Sequence, residues 1–118
     1  MDRKCSEFTP PVVKFGPHIA PLGMKFYTGS QFPAEYKNGT FIAEHGSWNR
    51  KSKIGCRIVF ISVDPDGKNP KETVFASGGW LDGQKILGRP ADILEAPDGS
   101  LLVADDQAGA IYQISYSK

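Results

Sequence analysis

Pro97-Asp98-Gly99-Ser100-Leu101-Leu102-Val103-Ala104-Asp105-Asp106-Gln107-Ala108-Gly109-Ala110-Ile111-Tyr112 is the stretch on which the fold turns. Pro97-Asp98-Gly99 suits a type I turn closed by a glycine in the left-handed conformation. An apolar run, Leu101 to Ala104, follows; a polar run ending in Gly109 comes next, and then a second β-rich run from Ile111 to Tyr116. Turn, strand, turn, strand is the pattern of an antiparallel hairpin. Because the run from Gly99 to Ala104 is almost wholly apolar, both faces of its sheet are expected to be covered.

The same form recurs about 60 positions earlier. Gly39-Thr40-Phe41-Ile42-Ala43 has the order glycine, hydroxyl, two apolar residues and a small residue, and another apolar strand follows within a few turns. Between and around the two copies, 13 glycines and 9 prolines fall among short β-rich runs, which disfavours long helices. Eight strands are predicted: Val12 to Phe15, Gly23 to Tyr27, Thr40 to Glu44, Cys56 to Val63, Glu72 to Ala76, Ala91 to Glu95, Leu101 to Ala104 and Ile111 to Tyr116. Turns are marked by Asn38-Gly39 and by Asp64-Pro65-Asp66-Gly67. The fold class read from this is all-β, either about two four-stranded antiparallel propeller blades or a small sandwich.

Composition narrows the function. Fourteen basic and thirteen acidic residues give a net charge of +1, which removes the electrostatic case for nucleic acid or an anionic membrane. Apolar stretches such as Ile58 to Ile61 are far shorter than the roughly 20 residues a spanning helix needs. Residues 1 to 9 are polar and read as a tail, with residues 10 to 118 as the folded segment. Without a basic and apolar leader the chain as given reads as cytoplasmic, and as periplasmic if it is part of a longer exported protein. Cys5 and Cys56 are the two cysteines, and that compartment argues against a bridge between them.

Several phrases carry a more specific signal: Ala20-Pro21-Leu22-Gly23-Met24, Gly39-Thr40-Phe41-Ile42-Ala43-Glu44-His45-Gly46-Ser47-Trp48-Asn49-Arg50, Gly79-Trp80-Leu81, Gly88-Arg89-Pro90-Ala91-Asp92-Ile93, and the stretch from Pro97 to Tyr112. Together they resemble the carboxy-terminal third of the glucose/sorbosone dehydrogenase family. That resemblance implies a six-bladed β-propeller whose axial cavity holds pyrroloquinoline quinone with calcium and oxidises a sugar carbonyl carbon. It implies cofactor-binding roles for Arg89, Arg50 and His45, since guanidinium groups bind carboxylates through paired hydrogen bonds. It implies substrate-facing roles for Trp48, Asn49 and His18, with His18 or His45 as a proton acceptor. The family pattern Arg-x-Arg-Asp meets Arg89 and Asp92 here, with Ala91 in place of the second arginine. The family's catalytic histidine and calcium loop fall in blades outside this stretch.

Each assignment has a structural counterpart. His45 and Trp48 suit loop packing as well as a cavity, His18 suits a turn, and Arg89 suits an ion pair with Asp92 or Asp105. Asp64, Asp66 and Asn69 read as a hairpin turn, because their spacing does not match a calcium loop. Asp105-Asp106 reads as a turn whose side chains satisfy backbone donors. Trp80 and Trp48 suit sugar stacking or sheet packing. The division into a strand at Val12, a full blade and a three-stranded blade predicts a homotrimer, the Val12 strand of one copy completing the last blade of the next. A non-catalytic ligand-binding or scaffold propeller is the competing function.

Overall fold

The structure, a computed structural model, describes residues 2–118. Strands β1 (Pro21–Phe26), β2 (Thr40–Glu44), β3 (Arg57–Ser62) and β4 (Lys71–Ala76) form a four-stranded sheet in chain order. A two-residue hairpin, β5 (Leu81–Asp82) and β6 (Lys85–Ile86), precedes a three-stranded sheet of β7 (Pro90–Glu95), β8 (Leu101–Asp105) and β9 (Ala110–Ile114). Every pairing is antiparallel. Two 3-10 turns, Cys5–Glu7 and Ala34–Tyr36, complete the elements.

The period-2 alternation of the strands places Phe41, Phe60, Ala43 and Ile58 on one side of the first sheet. These residues pack with Ile93, Leu101 and Val103 of the second sheet in one buried cluster. The register of β3 and β4 slips between Ile58 and Val59, and the extra residue, Phe75, lies with its ring centroid 4.6 Å from that of Phe41. Phe32, Tyr36 and Tyr27 close the aromatic cluster around Phe41. Tyr27 is fully buried, and its hydroxyl donates to Gly99 O at 2.8 Å while accepting from the backbone N–H groups of Gln31 and Phe32. That one phenol ties the end of β1 to the turn between β7 and β8.

At the opposite end of β1 the sheets touch backbone to backbone. Both β1 and β7 shift register near their starts, between Pro21 and Met24 and between Pro90 and Asp92. Gly23 in the first irregularity faces the second so closely that a Cβ on it would lie 2.5 Å from Asp92 Cα and 2.8 Å from Ala91 O. Only glycine fits such an approach.

Two expectations need correction. Val12 to Phe15 is not a strand: Pro10-Pro11 before it and Pro17 after it interrupt the N–H pattern a ladder requires, and Val13 and Phe15 instead lie across Ile42, Val59 and Ile61. The segment is a strap over the sheet. The hairpin β5–β6 was absent from the sequence reading because two-residue strands carry no period, and Gly83, at φ +59°, is the turn signal that remains.

The three-strand count of the last sheet and the four strands of the first agree with the reading from sequence. The Asp64 segment is a hairpin turn, with Asn69 Nδ2 donating to Asp64 Oδ2 at 2.6 Å and Lys68 N to Asp66 Oδ1. Cys5 is exposed and Cys56 buried, both as free thiols.

Candidate functional site

The loop from His45 to Cys56 leaves β2 and returns as β3 at the end of the sheet where Gly23 meets β7. Its course is set by unusual backbone. Gly46 and Gly55 have φ near +91° and +79°, and a Cβ on Gly46 would strike Cys56. Cys56, Ala20 and His18 also have positive φ, a conformation held in place here by the bonds His45 N–H to Ala20 O and Gly46 N–H to Ile19 O. His18, itself exposed, is thereby brought beside the start of the loop.

Arg89, preceding β7, reaches across to this loop. Its Nη1 donates to His45 O at 2.9 Å and Gly46 O at 3.0 Å, Nη2 donates to Ser47 O at 2.8 Å, and Nε donates to Gln107 Oε1 at 2.8 Å. Four of the five N–H donors are so used, leaving one. The expected ion pair of this side chain with Asp92 or Asp105 is not formed; instead Asp105 accepts from the backbone N–H of Arg89. Sequence reasoning missed this clamp because three consecutive carbonyls have no signature in side-chain identity.

Asp105 is buried and anchors the facing turn, its Oδ1 accepting from the N–H groups of Arg89, Gln107 and Ala108 and its Oδ2 from Tyr112. Burial alone would push its carboxyl up, but these donors, Ala108 N–H foremost, outweigh that and hold it below its ordinary 3.8. A depressed carboxylate contributes stability that is complete above its unfolded pKa and lost as pH falls through the folded value. Asp105→Asn is therefore expected to melt below the wild type near neutral pH. The gap should narrow as acid titrates through and below the ordinary carboxylate range, as thermal melts across that range would record.

Next to Asp105, Asp106 receives His45, with Nε2 to Oδ1 at 2.8 Å. The Nδ1 atom of His45 has no partner among the described residues. Burial pushes the Cys56 thiol up, Arg89 opposes the rise, and Asp105 and Glu44 add to it. It stays a thiol whose Sγ donates to His45 O at 3.5 Å.

Beyond Ser47 the loop stands out from the protein. Trp48 is 79% exposed, Asn49 is exposed and Arg50 half-buried. Residues 46 to 55 contain Arg50, Lys51 and Lys53 and no acid. None of the three, nor Arg89, forms an ion pair with a carboxylate among the described residues. Four cations without carboxylate partners suit a multiply anionic ligand. No group of three or more His, Cys, Asp or Glu side chains placed to share a metal ion occurs among the described residues. Trp80 is excluded from ligand stacking: it is buried, edge-on to Tyr112 at 5.8 Å between centroids.

Residues 1–117 match a family model described as TrAA12-like. The chain belongs to the TrAA12-like family. An uncharacterised protein of Borreliella burgdorferi is 41% identical over 116 residues, 98% of this chain and 31% of that protein. The pyrroloquinoline quinone-dependent pyranose dehydrogenase of Coprinopsis cinerea is 26% identical over 122 residues, 88% of this chain and 16% of the enzyme. The chain therefore spans a third or less of the curated relatives it matches. Among solved structures, the calcium form of Trichoderma reesei family AA12 superposes with TM-score 0.62 at 24% identity, covering 88% of this chain and 26% of that one. The holo quinone domain of the Coprinopsis enzyme superposes with TM-score 0.58 at 23% identity, covering 85% and 27%. Both likenesses establish a shared fold. The glucose/sorbosone resemblance is thus supported at its coarser level, kinship with quinone-dependent sugar dehydrogenases, and the family itself is TrAA12-like.

Proposed function

We propose that this chain is a sugar-dehydrogenase-like segment whose His45–Cys56 loop takes the anionic face of pyrroloquinoline quinone. The observation that carries the reading is the acid-free loop with Arg50, Lys51 and Lys53, held to the second sheet by Arg89. Arg50 and the remaining N–H of Arg89 meet carboxylates, and His45 Nδ1 is free to accept or hold a proton while Asp106 orients the ring. Trp48 supplies an apolar face and Asn49 and His18 supply polar contacts for a sugar such as an aldose or sorbosone. When bound, pyrroloquinoline quinone would supply a hydride acceptor for the C1 hydrogen of a hemiacetal sugar, and His45 would take the C1 hydroxyl proton. This reading assigns no residue to calcium.

The finer architecture belongs to the same proposal: a six-bladed ring around an axial cavity, assembled from three copies. The alternative, a non-catalytic ligand-binding or scaffold segment, keeps the loop and lacks the chemistry.

Calorimetric titration of the purified chain with pyrroloquinoline quinone tests the cofactor step. Binding is expected, weakened about tenfold by Arg50→Ala, the loss of one charge-assisted contact. Absence of heat, or binding indifferent to Arg50→Ala, would overturn it. Quinone binding without reduction of an artificial electron acceptor by a panel of aldoses would select the non-catalytic alternative.

A further inference from the structure

The loop that carries Trp48, Asn49 and Arg50 has a closed base. Ser47 N–H donates to Ile54 O at 2.9 Å, and Ile54 N–H donates back to Ser47 Oγ at 3.0 Å, so residues 48 to 53 stand out as a tip between two paired residues. Pairing at the base fixes where the tip starts. It does not fix where the tip points, because residues beyond a closed base keep many backbone conformations until something else holds them.

Two contacts supply that direction, and both fall on Lys53. Its backbone N–H donates to Gln84 Oε1 at 2.7 Å, and its ammonium donates to Trp48 O at 3.1 Å. The first ties the returning limb to the tip of the β5–β6 hairpin; the second spans the tip of the loop from its last residue to its first. Lys53 is half-buried, whereas Lys51 is exposed. Among the described residues no such bond is made by the side chains of Arg50 or Lys51. An ammonium committed to the loop's own carbonyl is a brace, and it leaves Arg50 and Lys51 as the tip cations with open donors.

Gln84 can act as a fixed point because the hairpin is anchored apart from the loop. Leu81 and Ile86 pack against the shared core, Leu87 N–H donates to Trp80 O at 2.8 Å, and Gln107 Nε2 donates to Ile86 O at 3.3 Å. The same short segment, residues 81 to 89, therefore grips both limbs of the loop. Arg89 takes the carbonyls of His45, Gly46 and Ser47 on the entering limb, and Gln84 takes the Lys53 N–H on the returning one.

We propose that Gln84 is a positioning residue, which fixes the returning limb and with it the direction of Trp48 and Arg50, and that Lys53 serves the loop through its brace on Trp48 and not as a ligand contact. This deepens the quinone reading above and rests on it for the identity of the ligand. The placement is independent of that reading, since both bonds lie within the chain. What matters at position 84 is the acceptor, so Gln84→Glu keeps the grip and Gln84→Leu loses it. The donor of the grip belongs to the backbone, and Lys53→Met accordingly removes the brace while keeping the grip.

Limited trypsin digestion of the full chain, with the cut sites read by mass spectrometry, tests the grip and the brace without any ligand. Cleavage after Arg50 and Lys51 is expected to run about fivefold faster in Gln84→Leu and in Lys53→Met, and at the wild-type rate in Gln84→Glu, with the melting temperature unchanged in all three. Unaltered cleavage in Gln84→Leu or Lys53→Met overturns the proposal, and so does equal acceleration after Lys25, inside β1, which would mean a general loosening. Calorimetric titration with pyrroloquinoline quinone then reads the ligand side. Gln84→Leu and Lys53→Met are each expected to weaken binding about threefold, and together by less than the about ninefold of independent effects, because both act through the placement of one tip. A full ninefold loss would mean that Lys53 meets the quinone itself, and overturns its assignment as a brace. A wild type that takes up no quinone removes the function proposed above, while the digestion still decides the positioning roles.

Discussion

Arg89→Ala is expected to lower the unfolding free energy by about 3 kcal/mol, a loss of roughly 10–15 °C in melting temperature for a chain of this size. The substitution removes a guanidinium that donates to His45 O, Gly46 O, Ser47 O and Gln107 Oε1. Each bond from a charged donor contributes about 1.5–3 kcal/mol, and the orphaned carbonyls regain part of that loss from water because the site is only partly buried. Arg89→Lys should recover little, since one ammonium cannot span three successive carbonyls and an amide. The loop has trypsin sites at Arg50, Lys51 and Lys53. Its cleavage should accelerate about tenfold or more once the clamp is gone, as a local opening that is about 1.4 kcal/mol easier would produce. Unaltered melting and proteolysis would show that the loop is held by its backbone bonds, His45 N–H to Ala20 O, Gly46 N–H to Ile19 O and Ser47 N–H to Ile54 O, and not by the arginine.

Gly23→Ala is expected to be about as damaging, near 3 kcal/mol, through a different cause. The added methyl would meet Asp92 Cα and Ala91 O, both backbone atoms, with Asp92 Oδ1 2.7 Å away. No rotamer change relieves a backbone contact, so β1 and β7 must separate and the seam between the sheets opens. Urea denaturation should show the midpoint falling with little change in slope, the mark of a destabilised but similarly compact protein. Gly67→Ala is a useful contrast: nothing lies within 4 Å of a Cβ there, and only its positive φ of +79° opposes the change, a cost of about 1–2 kcal/mol. Equal effects for Gly23 and Gly67 would mean that the close approach of the sheets carries no energy.

The strands that were legible from sequence are those whose apolar residues alternate or run unbroken between turns. Phe41, Ala43 and Ile58 announced β2 and β3, and Leu101 to Val103 announced β8. Val12 to Phe15 has the same composition and is not a strand, because composition reports burial against a sheet, and a strap meets that demand without ladder bonds. The site was legible as a loop and opaque as a geometry. His45, Trp48, Asn49, Arg50 and His18 do converge on one end of the molecule, but Arg89 acts through backbone carbonyls, and only coordinates reveal which carbonyls those are. Trp80, for which the sequence allowed sugar stacking or sheet packing, is buried edge-on to Tyr112 and so takes the packing role.

Tyr27 and Arg89 bridge the two ladders at opposite ends, one through its phenol to Gly99 and the other through its guanidinium to residues 45 to 47. No ladder hydrogen bond connects the sheets, so these two side chains add to the shared apolar core and to the His45–Asp106 and Gln31–Asp98 contacts in holding β7–β9 against β1–β4. Held by that core and these pins together, they share the fate of β1–β4, and the molecule loses its structure in one concerted event. The slowest-exchanging amide protons of β2 and β8 are therefore bound to report a single opening free energy, although they belong to different sheets.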